Sequence, residues 1–423
     1  MGLVYVPLGK AIAFLLSFLN DGIFAVTDFL QSLRSLQTIW PSPDITWIAA
    51  YYTFLALLYL LWKKIKQAKA AKLYLDFLHG DSAPSEPAAP FDPNQISLTA
   101  DPIRQLFRLR IFLLFTISGF ALLLFIGYTP DRFSRNGLVQ FMDVGQGDSI
   151  LIRTPEGKHI LIDGGGTLSF HKPGEDWKIR RDPYEVGRKL LVPLLKKRGV
   201  HQLDTLILTH QDADHSGGLQ AVLEQIPVKQ CLFNGTLKPN EGLKKLFRTA
   251  LKRNIPLIAA DPSHIMSMDA GTQIQFLYPF LAENNQIRVE AQQNNQSLVF
   301  LLQMEATRWL FTGDMEMSAE ALLLKAWKGE TERPPSVAAN VSIDVLKVAH
   351  HGSKTSSTEE WLKYWNPRYA VISVGAINSY GHPSLEVIER LREHQIGVFR
   401  TDQMGEVQIG VRKGSLFQRI KLQ

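Results

Sequence analysis

Apolar and polar positions divide the chain into two regimes. Leu, Phe, Ile and Trp crowd the first 130 residues, and beyond them apolar and polar residues mix. Two uncharged runs stand out, ITWIAAYYTFLALLYLLW from Ile45 to Trp62 and IFLLFTISGFALLLFIGY from Ile111 to Tyr128, each of 18 residues. That is just enough helix to cross a hydrocarbon core. Trp47, Trp62 and Tyr128 lie near the ends of these runs, where amphipathic rings favour the headgroup layer. Leu8 to Leu36 has helical apolar spacing broken by Asn20, Asp21, Asp28 and Gln31, which predicts an amphipathic helix in the plane of the interface. GDSAPSEPAAPFDP, residues 80–93, reads as a disordered linker.

Beyond Asn136 the pattern changes period. LVQFMDVGQGDSILIRTPEGKHILIDGGG alternates apolar and polar residues and stops at glycines, which predicts paired strands. Tyr184 to Arg198 carries helical spacing, Leu203 to Leu208 is a short buried strand, and LQAVLEQ is a helix after Gly217-Gly218. VFLLQ and TRWLFTGD predict a hairpin ending in an acidic loop, and DVLKVAHHG and YAVISVG are buried strands running into polar residues. Strands that end in His and Asp among mixed helices predict the α/β class, an αββα sandwich preceded by an α-helical membrane region. Its site residues fall on loops at one edge.

Charge adds an orientation. The segment between the apolar runs, 63–110, carries eight Lys or Arg, against two, Lys10 and Arg34, in residues 1–44. By the positive-inside rule that segment is cytoplasmic and everything after Tyr128 lies outside the cell membrane, as part of a multi-pass inner-membrane protein. The overall balance, 46 Lys plus Arg against 40 Asp plus Glu, is compatible with a polyanionic substrate without requiring one. The single cysteine, Cys231, excludes an internal disulfide framework and a CxxC metal motif, and predicts no disulfide-linked partner. Any metal must then be held by His and carboxylate.

THQDADHSGG supplies such donors. His210, Asp212, Asp214 and His215 fall within six residues directly after a buried strand, so one loop can aim them at two neighbouring ions. Two divalent ions about 3.5–4 Å apart generate a nucleophile from water and stabilise the leaving oxygen. The motif resembles the HxHxDH signature of the metallo-β-lactamase superfamily, with Asp212 where the second His usually stands. Aspartate is a harder ligand than imidazole, so the expected cofactors are two divalent ions, Mn²⁺ or Zn²⁺. The resemblance implies that His210 and Asp212 serve one ion, that Asp214 and His215 serve the other, and that Asp314 of TGD bridges them. Asp214 and Asp314 are then the catalytic pair of carboxylates. It also implies a last ligand from LKVAHHGS, His350 or His351, with His350 favoured. No histidine precedes TGD where the superfamily has its third, and Asn295 and Ser297 of NNQSLVF stand there instead.

Other residues join as candidates for substrate contact or ligand support. In similar proteins aspartates such as Asp143, Asp148 and Asp163 pack beneath the site, turn capping being the alternative. Lys347 and Ser353 flank the histidine pair, and Asn378, Tyr380 and His382 follow a further strand. Arg180, Arg181, Arg188, Lys189, Lys196, Lys197 and Arg198 form either a DNA-tracking surface or a solvated helix face.

As a set, MDVGQGDS, IDGGG, HxDxDHxGG, NNxSLV, TGD, LKVAHHGS and NxYGHPS resemble the C-terminal domain of ComEC-type competence proteins, over residues 138 to about 412. The region 1–75 is similar to the end of that family's membrane domain. The expected layout is therefore 1–75 amphipathic and transmembrane, 76–105 cytoplasmic linker, 106–130 transmembrane helix and 131–423 hydrolase. The resemblance implies an extracytoplasmic nuclease acting on incoming DNA beside a channel partner. The alternatives are a membrane-anchored hydrolase of another phosphoester and a DNA-guiding module with little catalysis.

Overall fold

The computed structural model describes residues 6–32, 39–78, 102–166, 184–260, 262, 265–280, 287–328 and 342–418. The expected linker core at 80–93, with Arg180 and Arg181, lies outside the described residues. The chain divides into two compact units, Met1–Trp40 and Pro41–Gln423. The first contains the helix Val6–Ser32, which exposes Phe14, Leu15, Leu16, Phe18 and Phe24.

The second unit opens with two antiparallel helices, Ile45–Leu78 and Pro102–Tyr128. Their stretches Ile45–Leu73 and Ile103–Tyr128 have mean hydropathy 1.6 and 2.4 and are long and apolar enough to cross a membrane. Without a strong hydrophobic force between helices in lipid, close packing over small residues holds such pairs together. Here Trp47 lies over Gly127 and Phe54 over Gly119, where any Cβ would press on the rings. Trp47 Nε1 donates to Leu123 O at 3.1 Å, and Tyr51 packs on Phe120 with ring centroids 5.4 Å apart.

One end of this hairpin is tied to the sandwich. Ser42 N donates to Lys197 O at 2.8 Å, and His201 Nε2 meets Tyr128 O, one of the carbonyls that a helix C-terminus leaves without a partner, also at 2.8 Å. Asp131 pairs with Arg153 at 2.5 Å and with His159 at 3.2 Å. Burial raises the Asp131 pKa, but the His159 hydrogen bond and the Arg153 charge outweigh it and hold the carboxyl below its ordinary range. Through these contacts the N-terminal ends of strands His159–Ile162 and Thr205–Leu208 face the hairpin.

Among the described residues the sandwich has an eight-stranded and a seven-stranded sheet. The first runs Ser415–Gln418, Val407–Arg412, Gly137–Phe141, Ile150–Arg153, His159–Ile162, Thr205–Leu208, Cys231–Phe233, Leu257–Ala259. The second runs Gly397–Arg400, Tyr369–Ile372, Val345–Lys347, Thr307–Phe311, Val299–Met304, Thr272–Tyr278, Ile265–Asp269. Period-two alternation sorts their side chains. Phe141, Ile150, Ile152, Ile160, Ile162 and Ile207 from the first sheet meet Phe276, Phe300, Leu302, Trp309, Phe311 and Val345 from the second. The intervening Leu310, Leu346, Ala370 and Ile372 face outward, against Leu323, Trp327, Trp361, Trp365 and Leu391. Each such buried apolar side chain contributes about 1.5–3 kcal/mol.

The predicted αββα class is thus observed, and the predicted strands around 138–162, 203–208, 299–311, 345 and 369 are present. The helical pattern of 184–198 begins as a π-turn, Gly187–Leu191, before the α-helix Val192–Lys197. Cys231 is buried on the last but one strand of the first sheet, and desolvation pushes its thiol up to about 12. It is expected to resist alkylation at pH 8 in the folded protein and to react fully in denaturant, as read by mass spectrometry. Rapid native labelling would contradict the strand placement.

Candidate metal centre

Parallel strands His159–Ile162 and Thr205–Leu208 run out together at the edge away from the hairpin, and they deliver Asp163 and Thr209-His210 side by side. The loop after Leu208 folds into a short helical turn, Ala213–Ser216, which brings His215 back over Asp163. Glycine makes this return possible. Gly218 N donates to Gly165 O at 2.9 Å and Gly164 N to His215 O at 2.7 Å, and a Cβ on Gly218 would collide with Gly164 O. From the other sheet, Thr307–Phe311 ends in the Thr312–Asp314 turn, and Val345–Lys347 ends at His350-His351, both at positive φ (47° and 54°).

Four donor atoms converge there, one each from Asp214, His215, Asp314 and His351, all within 4.8 Å of one another. His215 Nε2 lies 3.2 Å from Asp314 Oδ1, and His351 Nε2 lies 3.3 Å from Asp314 Oδ2 and 3.4 Å from Asp214 Oδ2. His210 Nε2 stands 3.9 Å from both Asp314 Oδ2 and Asp212 Oδ2.

The hydrogen bonds behind the histidines fix which nitrogen faces inward. His215 Nδ1 donates to Asp163 Oδ2 at 2.7 Å, and His351 Nδ1 donates to Ser373 O at 2.8 Å. Thr209 Oγ1 gives its one proton to Asp163 Oδ2 at 2.6 Å, so at 3.2 Å from His210 Nδ1 it can only accept. All three rings therefore carry a proton on Nδ1 and turn Nε2 towards the centre. Those three Nε2 atoms and Asp314 Oδ1 are buried and have no hydrogen-bond partner. Unpaired buried polar atoms are costly, and lone pairs converging with carboxylates are what a divalent cation requires. The donor set fits a divalent ion of the Mn²⁺ or Zn²⁺ kind.

Electrostatics agree. Burial raises the pKa of Asp214 and Asp314, yet the adjacent His215 and His351 hold both carboxyls below the ordinary range. Burial lowers His351, but Asp314 and Asp214 outweigh it and raise the ring to about 9. Burial and the neighbouring His215 depress His210, while burial and His350 bring His382 down to about 4. The carboxylates that would place a second proton on His215 and His351, at Nε2, favour a metal cation in the same position.

The structure distributes the sequence candidates unevenly. Of the histidine pair, where the sequence favours His350, it is His351 that is buried and joins the four-donor set, whereas His350 Nε2 is 3.9 Å from Asp314 and its Nδ1 faces Glu316 Oε1 at 3.4 Å. Asp212 is part-exposed and ion-paired to Lys238 Nζ at 2.5 Å, a residue with no motif signal in the sequence. Asn295 and Ser297 do not replace a third histidine. Ser297 Oγ accepts from Asp314 N at 3.0 Å, and Asn295 Oδ1 accepts from Glu316 N at 3.1 Å, so both shape the Asp314 turn from behind.

Asp163 lies directly under His215, 2.7 Å from its Nδ1. Asp143 does not: it is exposed and accepts from Gly145 N at 3.2 Å, capping its own turn. Asp148 is buried, and Lys347, inward-facing by alternation with Val345, forms an ion pair with it and donates to Gly313 O at 3.2 Å. Asp148, Asp163 and His215 also cluster, but the Lys347 ammonium already neutralises Asp148. Ser353 Oγ bonds Thr355 Oγ1 at 3.0 Å, and Thr355 in turn reaches Glu316 at 3.0 Å, which supports the turn beside His350. His382 reaches the cleft, packing edge-on against His350 with centroids 5.4 Å apart. Of the basic residues, Arg188 pairs with Glu224 and Glu185, and Arg198 with Glu406, so these two are engaged within the domain.

The centre floors a cleft of about 310 Å³ bordered by Gln146, Asp214, Lys238, Asn294, Asp314, Tyr380 and His382. Two packed sheets with a His/Asp cation site at the shared edge define a metal-dependent hydrolase class. The chain belongs to the metallo-β-lactamase superfamily, whose family model matches residues 142–376. Its relatives include competence proteins, in agreement with the motif resemblance. ComE operon protein 3 of Bacillus subtilis (strain 168) is 34% identical over 276 residues, 65% of this chain and 33% of that protein. Competence protein ComA of Neisseria gonorrhoeae is 31% identical over 300 residues, 70% and 36% of the two chains. Recombination protein 2 of Haemophilus influenzae (strain ATCC 51907 / DSM 11121 / KW20 / Rd) is 30% identical over 271 residues, 64% and 28%. The chain thus spans about a third of the length of the curated relatives it matches.

Proposed function

We propose that the chain is a metal-dependent phosphodiesterase that cleaves DNA during uptake, with its hydrolase domain on the outer side of a membrane. The observation that carries this reading is the set of three buried imidazole Nε2 atoms and Asp314 Oδ1, without hydrogen-bond partners and gathered around the Asp314 carboxylate. Asp214, His215, Asp314 and His351 would hold one ion, and His210 with Asp212 and the shared Asp314 would hold a second. When bound, such ions supply a water-derived nucleophile near neutral pH and a counter-charge for the phosphoryl oxygens.

The protein's own groups do the rest. Asp163 and Ser373 O fix the tautomers of His215 and His351, Thr209 does the same for His210, and Ser297 holds the Asp314 backbone. Lys347 beneath Asp148 keeps the floor from carrying excess negative charge. Competence relatives favour DNA over other phosphoesters as substrate, and with it a channel through which that DNA passes. The basic bias of segment 63–110 favours an extracytoplasmic hydrolase domain.

The test uses the full chain in detergent with single-stranded DNA and a panel of small phosphoesters, under Mn²⁺, Zn²⁺ or chelator. Metal-dependent DNA cleavage is expected, lowered by more than about 100-fold in Asp214→Ala, beyond the 10- to 100-fold typical of residues that only support a ligand. Equal rates for wild type and variant would sink the proposal. A domain resistant to protease added outside intact cells, but digested after lysis, would refute the orientation.

A further inference from the structure

The loop joining strand Tyr369–Ile372 to helix Leu385–Glu393 has a feature the metal donors do not account for. Three large apolar side chains on this short stretch face water: Ile377 is 98% exposed, Tyr380 51% and Leu385 69%. Tyr380 also lines the cleft over the metal donors. The loop is pinned. Asn378 Nδ2 donates to Gly375 O and His382 O, each at 2.9 Å, and Asn378 Oδ1 accepts from His382 N at 3.0 Å. The Tyr380 ring lies nearly parallel to that of His382, centroids 5.7 Å apart and planes at 25°, and His382 packs against His350. A half-exposed aromatic ring is thus held over the metal site and backed by an imidazole. The other named residues of the cleft rim, Gln146, Lys238 and Asn294, are polar.

A bare phosphodiester has no use for an aromatic face. A substrate with a flat base beside each phosphate does, provided the base is free to leave its own stack. We infer that Tyr380 is a stacking platform for the nucleobase next to the scissile phosphate, with Ile377 extending the apolar surface, so that the site selects single-stranded nucleic acid. The inference rests on the phosphodiesterase reading and deepens it. Tyr380 is a positioning residue here: it holds the base and so places the phosphate, and it takes no part in bond breaking.

The experiment maps cleavage, position by position, of an end-labelled single-stranded oligonucleotide containing one abasic nucleotide, using the full chain in detergent with Mn²⁺. Wild type is expected to cut the step at the abasic nucleotide about 5- to 100-fold more slowly than its neighbours, the range that loss of one base–aromatic stack gives. Tyr380→Leu should slow the base-bearing steps by a similar factor, chiefly through KM, and erase the abasic difference. Tyr380→Phe should behave as wild type, and all three proteins should have equal metal content and circular dichroism. Wild-type rates in Tyr380→Leu, a persisting abasic difference, or equal cutting of paired duplex would each overturn the inference while leaving the phosphodiesterase reading intact. No cleavage by wild type at all would remove both.

Discussion

Replacing His351 with alanine is expected to lower metal-dependent hydrolysis by more than about 100-fold, while His350→Ala costs less than about 10-fold, each read as kcat/KM with metal content measured alongside. The two residues are adjacent and share the left-handed backbone that ends strand Val345–Lys347, yet they differ in what they can do. His351 is almost fully buried, its Nδ1 proton is committed to Ser373 O, and its Nε2 has two carboxylates within 3.4 Å and no hydrogen-bond partner. Removing it takes away a donor that nothing nearby replaces. His350 sits at the rim between Glu316 and His382, where its loss disturbs packing and substrate approach. A larger loss for His350→Ala, or unchanged metal content in His351→Ala, would overturn this assignment.

The second large effect is on stability. Lys347 and Asp148 are both buried and paired beneath the site, and the ammonium also donates to Gly313 O. Removing one member of such a pair strands the other charge in a low-dielectric floor, which costs about 3–5 kcal/mol. Lys347→Met should therefore lower the unfolding midpoint strongly, and Lys347→Met combined with Asp148→Asn should recover part of the loss, since the second change removes the uncompensated charge. Thermal or denaturant unfolding of the full chain in detergent measures both. A single variant within about 1 kcal/mol of wild type would mean that the pair behaves like a solvent-screened surface bridge.

Much of this arrangement was legible in the sequence because it is written locally. The cluster His210 to His215 follows a strand whose apolar run is unmistakable, and the TGD and HHG turns end strands of the same kind. Alternation alone places Lys347 on the inward face with Val345. Other features depend on distant partners. The strand Val407–Arg412 completes the first sheet by pairing with Gly137–Phe141, a contact between the two ends of the domain that no local pattern encodes. Lys238 neutralises Asp212 only because strand Thr236–Leu237 passes beside the metal loop. The choice between His350 and His351 turned on two backbone dihedrals, and the spacing of identical neighbours carries no information about those. Asn295 and Ser297 stand where the superfamily has a histidine, but the amide oxygen of one and the hydroxyl of the other accept from the backbone of the turn that presents Asp314.

The polarity of strands His159–Ile162 and Thr205–Leu208 has a mechanical consequence. The first residue of the former, His159, is held to Asp131 at the foot of the helical hairpin, and the residues just beyond the two strands include Asp163 and His210. At about 3.3 Å per residue, the strand from His159 to Asp163 acts as a strut of roughly 13 Å. If the hairpin crosses a bilayer, this strut sets a standoff: the metal donors lie out in the aqueous layer, on the far face of the domain. Under the proposed function, scission and passage across the membrane would then be spatially separate events, with the severed strand bridging the gap between them.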